Sequence, residues 1–335
     1  MIRRLLVILT LVGLISFNAQ AQDPIFSQYY SAPLQINPAF AGHGYAPFFA
    51  LNYRNQWPSL NAYQTYSASF DQYLDYLNSG FGVVVLADDA GDGLIKTTKV
   101  SGIYAYRLKI NDEFFIKLGA EASVVQARLD WQRLVFLDQI DVENGPIGPG
   151  GTPYPTAEEQ PDNLSNVYFD ASAGVLLYGK SFYGGFAIKH LNTPNEAFLN
   201  INNNLNGGLP LRYTLHAGAE FSLSQSNKRE GAPFISPNVL FVRQGDFGQL
   251  NIGAYAGFGM IYGGVWYRNA LSNSDAVIAL IGVRKGIFKI GYSYDATISG
   301  LANAPGGSGG SHEISISFRF KEPGVDFNDC FQMFR

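Results

Sequence analysis

The sequence predicts an all-β protein, a transmembrane β-barrel of the outer-membrane type with about 14 antiparallel strands. Three observations predict it: apolar and polar residues alternate along most of the chain, short links alternate with long ones, and charge is scarce. Only 15% of the 335 residues are charged and 14% are aromatic, whereas a typical soluble domain has about 25% charged residues. The net charge of −4 offers no basic surface, which excludes nucleic acid as a partner.

The first element is a predicted secretory signal peptide at residues 1–21. Two arginines precede an apolar run from Leu5 to Phe17, and the residues from Ala19 to Ala21 form a small-x-small cleavage site. The run is too short for a membrane-spanning helix, which needs about 18 to 20 apolar residues. We therefore expect export, followed by cleavage after Ala21.

The second element, residues 22–44, is a predicted arm. Its sequence DPIFSQYYSAPLQINPAFAG is rich in apolar side chains, yet three prolines deny it a regular helix or a central strand. An irregular segment can sit at membrane depth inside a barrel, where inward side chains pair with its backbone. We expect the arm to plug the lumen through Ile25, Phe26, Tyr29, Tyr30, Asn37, Pro38 and Phe40.

The third element, residues 45–320, is the predicted barrel. From Leu211 to Phe221 the odd positions are apolar and the even positions are polar, and the same alternation recurs from Phe288 to Asp295. Strands are expected near residues 45–54, 63–73, 80–87, 96–109, 113–126, 167–178, 182–190, 211–222, 234–243, 248–257, 261–269, 276–284, 287–297 and 312–320. A secreted β-sandwich would also alternate, but only a closed barrel hides every edge strand.

The links between these strands support closure. Every second link is short, while the others are mostly longer and rich in Gly, Pro, Asn and Asp, notably 129–166 and 191–210. A longer link after Leu223 is an exception on the short side. Aromatic residues at strand ends are expected to form the interfacial girdles: Tyr53, Trp57, Trp131, Tyr178, Trp266 and Tyr267.

The last element, residues 321–335, is a predicted periplasmic tail. It contains Cys330, the only cysteine, so no intrachain disulfide is possible. Two interpretations stay open for this thiol: a link to a partner, or no role.

No catalytic, cofactor or metal site is predicted. The Gly306–Gly310 segment fits G-x-S-x-G, but it lies in a flexible loop between two strands, whereas a nucleophile elbow needs a strand before it and a helix after it. The histidines lack metal-type spacing, although His216 and His312 are assigned to the inward face. They could meet Glu220, Glu313 or Asp295, and these acids could also meet Arg212 or Arg319. A membrane-embedded hydrolase therefore stays an alternative to a charge-paired lumen wall.

Two arginines, Arg54 and Arg268, each follow a tyrosine in a Tyr-Arg-Asn sequence at the end of a predicted strand. A guanidinium group offers five donors in a planar fork, so both are candidates to anchor the arm through carbonyls or a carboxylate. The alternative is that both side chains extend to the membrane interface.

Several motifs together resemble one family. DPIFSQYYSAPLQINPAFAG and YRNQWP are followed by KHLNTPNEAF, GGVWYRN, GYSYDATIS and GSHEISISFRF. The set is similar to the PorP/SprF family of type IX secretion system outer-membrane proteins of the Bacteroidetes. The resemblance implies a 14-stranded barrel similar to the FadL group, whose lumenal arm carries an Asn-Pro-Ala element, here Asn37 to Ala39.

The function that the resemblance implies is non-enzymatic. It implies export or surface anchoring of cargo or adhesins that bear a carboxy-terminal sorting domain, together with other type IX components, in outer-membrane lipid. Partner docking is expected on the long loops, with Pro153, Tyr154 and Leu164 as candidates. A FadL-like channel for small solutes is the alternative function.

Overall fold

One antiparallel sheet closes on itself, because its last strand pairs with its first. A computed structural model describes residues 22–44, 46–143, 145–148, 151–198, 208–223, 232–271, 273–303, 307–320, 331 and 334. The predicted signal peptide and Cys330 lie outside the described residues. The prediction of a barrel with 14 strands is confirmed, the eighth strand being broken at Glu220.

The strands agree closely with those expected. They are β1 (Phe48–Gln56), β2 (Tyr63–Leu74), β3 (Ser79–Ala90), β4 (Ile95–Lys109), β5 (Phe115–Leu129), β6 (Ser165–Tyr178), β7 (Phe182–Lys189), β8 (Arg212–Ala219 and Phe221–Ser222), β9 (Phe234–Gln244), β10 (Phe247–Phe258), β11 (Ile261–Asn269), β12 (Ser274–Lys285), β13 (Phe288–Thr297) and β14 (Ser311–Arg319). Each neighbouring pair is antiparallel.

The two faces of the sheet are the reverse of those in a soluble protein. In β8, Leu215 is 52% exposed on the outside, whereas Arg212 and Thr214 face the lumen and are buried. The same arrangement holds in β13, where Ile290 points outward and Ser293 inward. An apolar outer wall around a polar interior suits lipid outside the barrel.

The two ends of the barrel differ. Links such as Gly179–Ser181, Gly259–Met260 and Gly286–Ile287 define the short-turn end, which also carries the longer link after β8. The opposite, long-loop end carries the connections from β5 to β6 and from β7 to β8. β1 begins at the short-turn end, so the arm that precedes it must reach that end.

The helical segments are short. The arm contains the helix α1 (Pro33–Ile36) between 3-10 turns at Tyr29–Ser31 and Pro38–Phe40. Further 3-10 turns lie at Pro58–Leu60, Asp75–Leu77, Trp131–Arg133, Leu137–Gln139 and Gly300–Asn303. Among the described residues, no helix has the length and hydropathy needed to span a membrane.

Three side chains of the strands face the opposite way from the prediction, and Trp57, also expected in a girdle, lines the opening of the lumen. Tyr178 and Trp266, expected in the girdles, point into the lumen and are 4% and 2% exposed. There Trp266 stacks on Tyr30 of the arm, a partner that strand-end position alone could not reveal. His312, expected inside, shares its side of β14 with the outward Ile314 and contacts the hydroxyl of Tyr292 at 2.8 Å.

The rim at the long-loop end has a step between β6 and β7. β5 pairs with β6 along Ser165–Tyr178, whereas β7 pairs with β6 only along Ala173–Tyr178. β7 ends at Lys189, and the backbone of Leu191 makes one further bond to Ala171 before the chain leaves the sheet. The upper part of β6 therefore has a neighbouring strand on one side only.

Candidate functional site

The arm passes through the lumen from one end of the barrel to the other. Asp23 lies at the long-loop end, beside His190 and Arg212, which follow β7 and open β8. Gly42 lies at the short-turn end, where its backbone nitrogen donates to Asp71 at 2.6 Å. The arm thus occupies the whole depth of the lumen.

At the long-loop end, a group that we call the latch holds Asp23. The Asp23 carboxylate lies 3.0 Å from both His190 Nε2 and Arg212 Nη1, and His190 Nδ1 lies 3.1 Å from Asp170. Burial alone would lower the pKa of His190, but the charges of Asp23 and Asp170 outweigh burial and raise it to about 9. Burial likewise opposes ionisation of Asp23, but His190 and Arg212 hold the pKa of Asp23 well below its usual range. At neutral pH the latch is therefore ionised on both sides.

Just below the latch, Ser27 and Gln28 are held by the seam where β14 meets β1. The Glu313 carboxylate accepts hydrogen bonds from the backbone nitrogens of Ser27 and Gln28, both at 2.8 Å. Arg54 Nη1 donates to the Ser27 hydroxyl at 2.6 Å, and Arg268 Nη1 donates to the same oxygen at 3.1 Å. Both guanidinium groups also pair with Asp295, at 3.0 Å and 2.8 Å. The arginines predicted to anchor the arm thus contact a hydroxyl of the arm, and both are buried in the lumen.

Deeper in the lumen, aromatic side chains of the arm pack against the wall. Tyr30 is fully buried, and its ring lies 5.4 Å from that of Tyr255 and 6.2 Å from that of Trp266. The Tyr29 hydroxyl donates to Asn238, which also accepts a hydrogen bond from Trp266 Nε1 at 2.7 Å. All five side chains of this layer are at most 5% exposed.

Below the aromatic layer, three glycines form a notch that admits Asn37. A side chain at Gly119 would overlap the backbone of Ala39, and one at Gly174 or Gly185 would overlap Asn37. With these positions empty, Asn37 Nδ2 donates to the backbone carbonyl of Val175 in β6 at 2.9 Å and lies 3.0 Å from His216 Nε2. The notch explains why the arm needs a small, bifunctional amide at this position.

The short-turn end is closed by aromatic rings from both ends of the chain. Phe40 stacks on Phe334 with ring centroids 4.9 Å apart, and Phe331 lies 5.9 Å from Phe40. His43 Nε2 lies 3.0 Å from the carbonyl of Phe334. The tail was predicted to be periplasmic as a whole, and this stays a prediction; its residues 331 and 334 are each 1% exposed inside the barrel mouth.

All seven predicted arm residues lie in the lumen. Phe26, Tyr29, Tyr30, Asn37 and Phe40 are at most 3% exposed, Pro38 is buried, and Ile25 is half-buried near the long-loop end. Their role as a barrier to flow stays a prediction.

Above the arm, the lumen opens into a vestibule. It has a volume of about 740 Å³, with Pro24, Ile25 and Gln35 of the arm in its lining. Its wall carries Trp57 and Tyr168 as well as the latch, so it offers both ring faces and paired charges. The vestibule opens toward the long loops.

Within the part of the chain that the structure describes, neither of the two histidines considered for a hydrolase pairs with a carboxylate. His216 lies against Asn37 and Phe40, and His312 is on the other face of the wall. The inward acids Glu313 and Asp295 pair with Arg54 rather than with Arg212 or Arg319. In the described residues, no cluster of three or more His, Cys, Asp or Glu side chains is arranged to hold a metal. Sequence reasoning missed His190, whose only signal was its place in the KHLNTPNEAF motif.

The long loop between β5 and β6 carries exposed apolar side chains. Leu137 is 90% exposed and Val142 is fully exposed. The loop is ordered by its own bonds, among them Asp138 to the backbone nitrogen of Ala157 at 2.6 Å. Of the three predicted docking residues, Pro153 is exposed, whereas Tyr154 and Leu164 are half-buried.

A family model described as type IX secretion system membrane protein PorP/SprF matches residues 18–318. No curated protein sequence matches the chain.

Solved barrels are similar at low identity. The Ralstonia pickettii toluene transporter TbuX is 10% identical, with 87% of this chain and 94% of that chain covered and a TM-score of 0.46. The Acinetobacter baumannii outer membrane protein Omp33 is 9% identical, with 83% and 100% covered and a TM-score of 0.43.

Proposed function

Since the chain belongs to the PorP/SprF family of type IX secretion system membrane proteins, we propose that it is a non-enzymatic outer-membrane component of that system. It supports export or surface anchoring of partner proteins with a carboxy-terminal sorting domain, such as gliding or adhesion proteins. It works beside other type IX components in outer-membrane lipid.

The observation that carries this proposal is the arm. It is bonded to the barrel wall at the latch, at the seam, at the glycine notch and at the short-turn end. A polypeptide could pass through the lumen only if all these bonds broke together. The barrel therefore acts on its partner from outside the lumen, and the same plug disfavours the solute-channel alternative.

The docking face is the β5–β6 loop. Its exposed aliphatic side chains are Val135, Leu137, Ile140, Val142 and Ile147. Residues 130–164 also hold seven carboxylates and one base: Asp130, Asp138, Asp141, Glu143, Glu158, Glu159, Asp162 and Arg133. The complementary partner surface is apolar with basic residues at its rim.

A loop replacement tests this proposal. Exchanging 141–162 for a short Gly/Ser linker should leave a folded, heat-modifiable barrel, because barrel stability resides in the closed strands. Surface display of the partner, measured by surface proteomics, should be lost.

A finer variant and a matched control sharpen the test. Leu137→Ser with Val142→Ser should weaken recovery of the partner with the barrel, whereas Leu60→Ser with Ile298→Ser, at exposed apolar sites in other long loops, should not. Wild-type display after the loop replacement would show that the docking face lies elsewhere. An unchanged surface proteome in a full deletion strain, with reduced uptake of a solute, would replace this function with a channel.

A further inference from the structure

We infer that the upper edge of β6, Ser165–Ala171, is a binding site for an extended segment of the partner, which adds to the sheet as an extra strand. The inference rests on the proposed function and names how the partner is held. It begins from the step in the rim, where β6 extends above β7.

Within the described ranges, no strand pairs with the backbone of this edge on the side away from β5, although the β7–β8 connection lies nearby, where the side chain of Asn166 donates to the carbonyls of Asn195 and Ala197 at 3.0 and 3.2 Å. The backbone carbonyl of Leu164 accepts a hydrogen bond from the nitrogen of Leu129, so the backbone groups of Leu164 face β5. Backbone groups of successive residues in a strand point to opposite sides. Those of the odd-numbered Val167 and Phe169 therefore point away from β5. Asn192 covers the lower part of the edge, since its side chain bonds to the nitrogen of Ala171 and the carbonyl of Phe169. Above it, the nitrogen and the carbonyl of Val167 and the nitrogen of Phe169 bond to nothing in the part of the chain that the structure describes.

The open edge stands above the lipid. On the outer face, Phe169 of β6, Val124 of β5 and Val100 of β4 lie side by side across the three strands and form an apolar row. The next row up holds Gln126, opposite Val167, and Thr98, opposite Gln126. The boundary between lipid and water thus falls between Phe169 and Val167. Unpaired backbone groups are tolerated at this height because water can reach them.

The sequence of the edge favours pairing. Ser165–Phe169 reads SNVYF, with the β-formers Val, Tyr and Phe and without the lysine, proline or bulge that proteins use to block an edge. Val167 is 60% exposed and Phe169 is 54% exposed on the outer side. An edge of this kind binds another strand in preference to water.

The chemistry on the two sides of the edge defines the added strand. On the outer side, Val167 and Phe169 would pack against apolar residues at alternate positions. On the inner side, Tyr168 and Glu196 line the vestibule, and Glu196 makes no ion pair among the described residues. The partner segment therefore alternates apolar residues with polar or basic ones.

A single proline tests the site. Val167→Pro removes a backbone donor that only an added strand would use, because this group faces away from β5. The full-length variant should keep the heat-modifiability of the wild-type barrel. Recovery of the partner with the barrel from native outer membranes should fall by about tenfold, as expected for one lost hydrogen bond and the acceptor left unpaired. The matched control Val167→Thr keeps the backbone donor and should recover the partner at the wild-type level.

Amide exchange gives an independent readout. In native outer membranes with the partner bound, the amides of Val167 and Phe169 should be protected. In the barrel whose loop 141–162 is replaced, they should exchange freely. Fast exchange in both samples would overturn the strand-addition site.

The outcomes separate this site from the proposed function. If Val167→Pro recovers the partner like wild type while the loop replacement loses it, the strand site is wrong and the docking function stands. If neither variant loses the partner, the strand site and the β5–β6 docking face are both wrong, and only the full deletion strain then tests the proposed function. A photoreactive residue at position 167 that links two barrels would assign the edge to a second copy and overturn the inference.

Discussion

Arg54 and Glu313 face each other across the seam that closes the barrel, with Nη1 and Oε2 3.1 Å apart. Glu313 uses both of its carboxylate oxygens on the arm as well, so one pair joins the first strand, the last strand and the plug. The seam and the arm are therefore a single bonded unit.

Glu313→Gln should destabilise the barrel and loosen the arm. The amide keeps the shape but loses an acceptor and the charge that balances Arg54, and breaking a buried pair costs about 3 to 5 kcal/mol. The temperature at which the folded band disappears in unboiled electrophoresis should fall. Glu113→Gln, at an exposed short-turn pair with Lys180, serves as the control and should change little. An unchanged transition in Glu313→Gln would mean that the seam pair does not stabilise the barrel.

Gly119→Leu should displace the arm without removing it. The new side chain would occupy the space of Ala39, so the Asn37 amide would leave its notch and water would enter. Single-channel conductance in planar bilayers should rise. Gly102→Leu in the adjacent strand is the control, because a side chain there meets nothing within 4 Å. Equal conductance for both variants would contradict the plug.

Leu215→Arg should cost about 2 to 4 kcal/mol if its outward side chain lies near the middle of the lipid. Thr214 is unsuitable as its inward control because its side chain is fully buried and has no room for an arginine. Thr97, which lines the vestibule, can accept an arginine pointing into water. Refolding into lipid vesicles with a urea titration would compare Leu215→Arg with Thr97→Arg. Equal losses of stability would contradict the assigned faces.

The latch should bind the arm tip only within a window of pH. The pKa of His190 is raised to about 9, so its contribution is complete below its usual value, about 6.5, and is lost as the pH rises through about 9. The pKa of Asp23 is lowered, so its contribution is present above its usual value, about 3.9, and is lost as the pH falls through the lowered one. The protection factors of the amides at residues 23–28, which are corrected for the intrinsic pH dependence of exchange, should fall above pH ~9 in the wild type. His190→Gln should abolish this fall. A fall that persists in the variant would mean that another group controls the arm tip.

Most of the fold could be predicted from the sequence, because every strand of a barrel follows the same alternation of inward and outward side chains. Alternation placed Leu215 outside and Arg212 inside, since neighbouring side chains point to opposite faces of a strand. The same rule assigns His312 to the outside with Ile314, so its assignment to the inside was an error against the pattern. Tyr178 and Trp266 were misassigned for another reason: their partners, Phe331 and Tyr30, come from the two ends of the chain.

The contacts of the arm were only partly predictable. The composition of Asp23–Gly42 indicated a plug, and the Tyr-Arg-Asn sequences singled out Arg54 and Arg268. Nothing in spacing joined Asp23 to His190, which lie far apart in sequence and meet only after β7 is in place. In the sequence, nothing distinguishes Gly119 and Gly174 from other strand glycines. Only the structure shows that a side chain at either position would overlap the arm.

The path of the arm has a consequence for how the barrel assembles. Ser27, among the earliest residues described, bonds to Glu313, which lies 286 positions later in the last strand. The bonds at the seam therefore cannot form until the whole chain has been delivered and β14 has reached β1. Contacts of such long sequence separation are slow to form. Closure of the seam and fixing of the arm therefore depend on the same last strand, so neither is complete before β14 has paired with β1.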